Sequence, residues 1–123
     1  MPLLNFLEAI AREEGFYVAG TRAQRNHNPG NIEWGEFARA HGAIEGDPRF
    51  AVFPDDEMGF ACMRALMLGA YRGLTVAQAI AKWAPPNEND TQSYITNVCH
   101  WTGLTPDTII NTHLGGNDAI TQG

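Results

Sequence analysis

Over its first fifteen positions the chain repeats apolar residues with the period of a helix. Leu3, Phe6, Leu7 and Ile10 fall on one side, and Glu8 and Arg12 fall on the other. This pattern predicts a helix over residues 2–15, with Gly15 as its stop. Between residues 20 and 59 the helical spacing disappears. That stretch is rich in Gly, Asn, Pro and Asp, and its short apolar pieces at 32–34 and 50–53 predict a loop followed by a small, irregular antiparallel sheet. Asn28-Pro29-Gly30-Asn31 reads as a type II turn, in which Pro fixes φ and Gly supplies a positive φ. Helical periodicity returns over residues 56–72, where Met58, Ala61, Cys62, Ala65, Leu66 and Leu68 form a broad stripe.

Three cap signatures follow. Thr75 opens a helix running to Trp83, which Pro85-Pro86 ends. Asp90 or Thr91 opens another running to Trp101, with Gly103 as terminator. Thr105-Pro106-Asp107 predicts a last helix containing Ile109 and Ile110. A frayed tail is expected over residues 115–123. The fold class is thus a mostly helical α+β domain, with a small antiparallel sheet after the first helix and one domain over residues 1–123.

Composition narrows the function classes. A hydrophobic content of 44% excludes a disordered chain. No stretch approaches the roughly 20 apolar residues of a membrane span, and the first residues lack a signal-peptide layout. Eight basic residues against fourteen acidic ones give a net charge of −6, and the basic residues are scattered. Nucleic acid is therefore not expected as a partner, because phosphate binding needs concentrated positive charge. Cys62 and Cys99 are expected as two buried thiols rather than a disulfide. The four histidines show no metal-ligand spacing, so no metal and no cofactor is expected.

One carboxylate stands out. A general acid for glycosidic cleavage must hold its proton near neutral pH, and burial or the carbonyl end of a helix both disfavour a charged carboxylate. Glu14 lies roughly 30° from the centre of the first helix's apolar side, Glu13 roughly 70°, and Glu8 nearly opposite. Phe16 and Tyr17 can wall a pocket beside it. Arg25, Asn26, Asn28 and Asn31 bring donors and acceptors for hydroxyl and acetamido groups. Clusters of Asn and Gly also simply build turns, and Asn28 is the one most readily explained that way.

Residues 5–15, ending in Glu14-Gly15, resemble the first helix of phage-type lysozymes. Arg25-Asn26-His27-Asn28-Pro29-Gly30-Asn31-Ile32 resembles a loop of lysozyme-like phage endolysins and lytic transglycosylases. Later landmarks are Arg49-Phe50-Ala51-Val52-Phe53-Pro54 with Gly59, and Lys82-Trp83-Ala84-Pro85 with Glu88-Asn89-Asp90 and Tyr94. The resemblance covers residues 5–105. It implies a lysozyme-like muramidase acting on peptidoglycan, with Glu14 as catalytic acid, Arg25, Asn26 and Asn31 near the substrate, and Tyr94 as a wall of the cleft.

The chain departs from phage-type hydrolases where they carry an Asp and a Thr: those places hold Ala23 and Pro29. Glu33 is the nearest substitute for a second carboxylate, and an outward-facing strand residue is its other reading. Hydrolysis and transglycosylation, in which the sugar's own 6-hydroxyl attacks, both remain open. The competing class is a non-catalytic wall-binding or virion module on the same scaffold. The expected protein is a monomer of phage or prophage origin. It would be made in the bacterial cytoplasm and act on the wall after release by a pore-forming helper or from a virion.

Overall fold

The computed structural model describes residues 2–115. The expected tail beyond Gly115 lies outside them. Six helices and a two-stranded sheet follow in the order α1 (Phe6–Glu13), α2 (Arg22–Arg25), α3 (Glu36–Ala40), β1 (Glu45–Asp47), β2 (Phe50–Val52), α4 (Asp56–Leu68), α5 (Val76–Trp83) and α6 (Thr91–Thr102). A 3₁₀ turn, Ile110–Thr112, comes last. The fold is α+β, predominantly helical, with one small antiparallel sheet. Among the described residues no helix is long and apolar enough to cross a membrane. The chain groups into two compact units, Ile10–Leu66 and the remainder.

Within Ile10–Leu66, α1 ends in a Schellman motif. The Phe16 N–H reaches the Ala11 carbonyl at 3.0 Å and the Gly15 N–H reaches that of Arg12 at 3.1 Å. Gly15 takes the left-handed conformation this requires, with φ 83°. Phe16 then packs with Ala11 and Ala23, and Phe60 lies against them. The apolar contact that accompanies such caps is thereby supplied.

The sheet does not follow the first helix directly, because α2 and α3 intervene. β1 and β2 pair antiparallel with Asp47 opposite Phe50, across a turn at Pro48 and Arg49. The expected strand over residues 32–34 contributes only a bridge between Glu33 and Phe50. Its alternation is nevertheless real. Ile32 and Trp34 pack on the cluster of Ala38, Ala43, Ala51, Phe53 and Cys62, whereas Glu33 points away and is exposed.

In the other unit, the first helix begins later than its periodicity suggested. Asn5 and Glu8 form a reciprocal cap: Glu8 N–H donates to Asn5 Oδ1 at 2.8 Å, and Asn5 N–H donates to Glu8 Oε1 at 2.9 Å. Leu3 is left outside the helix and exposed. α5 carries the capping box between Thr75 and Gln78, and α6 starts at Asp90 and ends at Gly103 with φ 76°.

The expected helix after Thr105 does not form. The carbonyls of Pro106 and Thr108 instead accept the N–H groups of Ala77 and Val76, at 3.0 and 2.8 Å. Ile109 pairs with Thr75. The donors at the start of α5 thus hold this segment as a turn that leads into the bridge at Ile109. Val76, Ile80, Val98, Ile110 and Leu114 are fully buried in this unit.

Cys62 and Cys99 are free thiols. Cys62 is buried as expected; Cys99 is only half-buried.

Candidate active site

Glu14 occupies the first position beyond α1, inside the Schellman motif, and is partly buried. Its backbone N–H still bonds the Ile10 carbonyl at 2.9 Å, so the last helical turn fixes its Cα. The loop after it is tied back through Thr21. The Thr21 hydroxyl approaches the Gly15 carbonyl at 2.8 Å and that of Val18 at 3.0 Å, and it accepts from Gln24 N–H as the cap of α2. Sequence reasoning passed over Thr21, although Thr followed three positions later by Gln is a recognisable helix start.

The turn after α2 brings Asn31 to Glu14, with Asn31 Nδ2 donating to Glu14 Oε1 at 3.1 Å. Left-handed backbone occurs at His27 (φ 52°) and at Asn31 (φ 48°), on either side of the Asn-Pro-Gly run. Asn tolerates this conformation better than other side-chain-bearing residues. The Asn31 N–H closes the turn onto the Asn28 carbonyl at 3.1 Å.

Asn28 holds the turn in place. Its side chain is completely buried, donates to the carbonyls of Ile32 and Ala51 at 2.9 Å each, and accepts the Ile32 N–H at 3.0 Å. This matches the structural reading of Asn28. His27 adds a surface pair with Asp56, Nδ1 to Oδ1 at 2.7 Å.

The other candidates lie in different settings. Arg25 is exposed, and its Nη1 donates to the Gly20 carbonyl at 2.7 Å, so it staples its own loop. Asn26 is buried; its carbonyl accepts the Phe53 N–H at 2.9 Å, while its Nδ2 has no partner. Glu33 is exposed and paired with Arg49. Arg49 and Arg22 also lie over the Phe50 ring, 5.2 and 4.4 Å from its centroid. Tyr94 is buried on α6, in the other unit.

Ala23 and Pro29, which stand where phage-type hydrolases carry polar residues, are both buried. Neither can activate a water. Among the described residues no group of three His, Cys, Asp or Glu side chains is placed to hold a metal ion. The geometry thus joins two of the sequence candidates directly, Glu14 and Asn31, at the meeting of a helix end and a turn.

No family model matches the chain. Over 90 residues it is 38% identical to Protein P5 of Pseudoalteromonas phage PM2, a match that covers 68% of the chain and 56% of that protein. The chain therefore spans little more than half the length of this phage relative.

Proposed function

We propose that this chain is a peptidoglycan-cleaving muramidase with a lysozyme-like fold, and that Glu14 is its general acid. The observation that carries the reading is the setting of Glu14. It is a partly buried carboxyl fixed by a helix cap and held by the amide of Asn31. A proton donor for a leaving glycosidic oxygen needs this kind of placement, because a small displacement of the donor lowers the rate steeply. The order of motifs from Glu14-Gly15 to Tyr94 supports the same assignment by resemblance. The phage relative supports a phage or prophage origin.

Cleavage by one carboxylate is the version favoured here. Glu33 is exposed and engaged by Arg49, and the positions of the hydrolase Asp and Thr are buried Ala23 and Pro29. Glu14 would protonate the glycosidic oxygen while the substrate's N-acetyl group stabilises the developing cation. The same carboxylate would then take the proton of the 6-hydroxyl as that oxygen attacks the anomeric carbon, leaving a 1,6-anhydro end. Proton and bond counts balance without water, which is lytic transglycosylation.

The test is digestion of purified peptidoglycan by the wild type and by Glu14→Gln, with released fragments identified by mass spectrometry. Anhydro ends from the wild type alone are expected. Reducing ends would replace transglycosylation by hydrolysis. Retention on insoluble wall with no fragments from several wall types would overturn the enzymatic reading in favour of a binding module.

A further inference from the structure

We infer that Asn31 is a positioning residue that acts through Glu14, rather than a residue that binds the sugar. Three features of Asn31 point the same way. Its backbone is held left-handed at φ 48°, a conformation that is strained for most side-chain-bearing residues. Its Oδ1 is buried without a partner, which is unfavourable for an acceptor that water would otherwise satisfy. Its Nδ2 donates to Glu14 Oε1.

The turn does not need this side chain. Asn28 makes the bonds from side chain to backbone that fasten the loop, and the turn closes through the backbone N–H of Asn31. Local strain and an unsatisfied oxygen are therefore retained around one side-chain bond, and that bond ends on the proposed acid. The orientation of the amide follows from the same contact. With the carboxyl ionised, the opposite rotation would set Oδ1 against a carboxylate oxygen, two acceptors facing each other; with Glu14 protonated, Oε1 as the carbonyl oxygen still accepts from Nδ2. Asn31 restricts the rotamers of Glu14, so the carboxyl meets the glycosidic oxygen already oriented. The catalytic consequence rests on Glu14 being the acid; the restriction of its rotamers does not.

Two variants isolate the effect. Asn31→Gly keeps the left-handed backbone available and removes the amide, whereas an alanine would add strain. Asn31→Asp keeps size and backbone tolerance but replaces the donor by an oxygen. Side-chain order of Glu14 is read by NMR, from three-bond couplings and relaxation of its methylene groups. Wall-cleaving rates are measured on the same samples.

In the wild type Glu14 populates one rotamer, and in both variants it averages over several. On soluble glycan fragments kcat falls on the order of 10- to 100-fold with KM within about two-fold. A Glu14 equally ordered in Asn31→Gly and in the wild type overturns the proposal. So does a loss confined to KM, which would make Asn31 a substrate ligand. A wild type that cleaves no wall, but whose Glu14 loses order in both variants, defeats the muramidase reading and leaves the positioning role standing.

Discussion

Gly59, in the first turn of α4, lies directly under the carbonyl of His27: a Cβ added there would stand 2.1 Å from that oxygen and 2.7 Å from Cδ of Pro29. The loop that presents Asn31 thus rests its backbone on a helix surface stripped of side chain. Neither a peptide carbonyl nor a proline ring can swing aside as the end of a long side chain could. Gly59→Ala is therefore expected to lift the loop from the helix, although alanine is the better helix former by about 1 kcal/mol. The overlap should dominate and destabilise the protein by about 2 kcal/mol in urea unfolding. Wall cleavage should fall with it, because Asn31 and Glu14 separate. A variant more stable than the wild type would show that the loop is not seated on α4 as described.

The loop's second fastening is Asn28, whose amide bonds both backbone groups of Ile32, just after the turn, and the Ala51 carbonyl in β2. Asn28→Ala would leave the Ile32 N–H without its acceptor and take the amide donor from the Ala51 carbonyl and from the Ile32 carbonyl, the latter keeping the Ala51 N–H at 2.9 Å. Each unsatisfied buried group costs about 1–3 kcal/mol, less whatever water can repair. A loss of about 3 kcal/mol in equilibrium unfolding is expected, large for a single polar substitution. Asn28→Asp retains only the acceptor and should recover little. If Asn28→Ala unfolds within 1 kcal/mol of the wild type, the turn is held by something other than this amide.

Cys62 supplies a prediction about pH. Burial raises its thiol from 9.0 to about 11, because the thiolate would have to form in an apolar cluster with Phe53, Ala51 and Ala38. The folded state keeps its proton where the unfolded chain has lost it. The contribution to stability is complete below about pH 9 and is lost as pH rises from 9 toward 11. Cys62→Ala should flatten this alkaline decline in a series of urea titrations. In the native protein at pH 8, a thiol-specific disulfide reagent should label the half-buried Cys99 well before Cys62. Equal labelling rates under native conditions would contradict the burial of Cys62.

Local signals were legible where a residue acts on its own neighbours. Thr75, Asp90 and Gly103 mark the ends of α5 and α6 because capping needs a side chain or a positive φ within a few residues. Glu14 could be picked out from local pattern too, since it falls near the apolar side of the first helix and just before Gly15, where that helix stops. What the pattern missed depended on distant partners. Thr105-Pro106-Asp107 has the makings of a helix start, yet the N–H groups of Val76 and Ala77 take the carbonyls of Thr108 and Pro106, and the segment stays a single turn. The 32–34 stretch alternates like a strand, yet it meets β2 only through the bridge between Glu33 and Phe50, whereas 45–47 forms the full ladder with β2. In the site, the sequence could set Asn28 apart as a turn-building residue, but could not tell which of Arg25, Asn26 and Asn31 meets Glu14. Only the path of the turn decides that Asn28 reaches Ala51 and Asn31 reaches Glu14.

Glu33 separates the two chemical routes. Its carboxylate and the Arg49 guanidinium form an ion pair in which both side chains are well over half exposed, 60% and 63%. Such pairs contribute about 0–1 kcal/mol, so Glu33→Gln should leave stability nearly unchanged. If Glu14 works alone, the variant should also cleave wall within about three-fold of the wild-type rate and release the same ends. A second carboxylate acting as base or nucleophile would behave otherwise, since removing such a group commonly lowers rates by about 10²-fold or more. A folded Glu33→Gln that has lost cleavage, with wild-type products carrying reducing ends, would make the enzyme a two-carboxylate hydrolase.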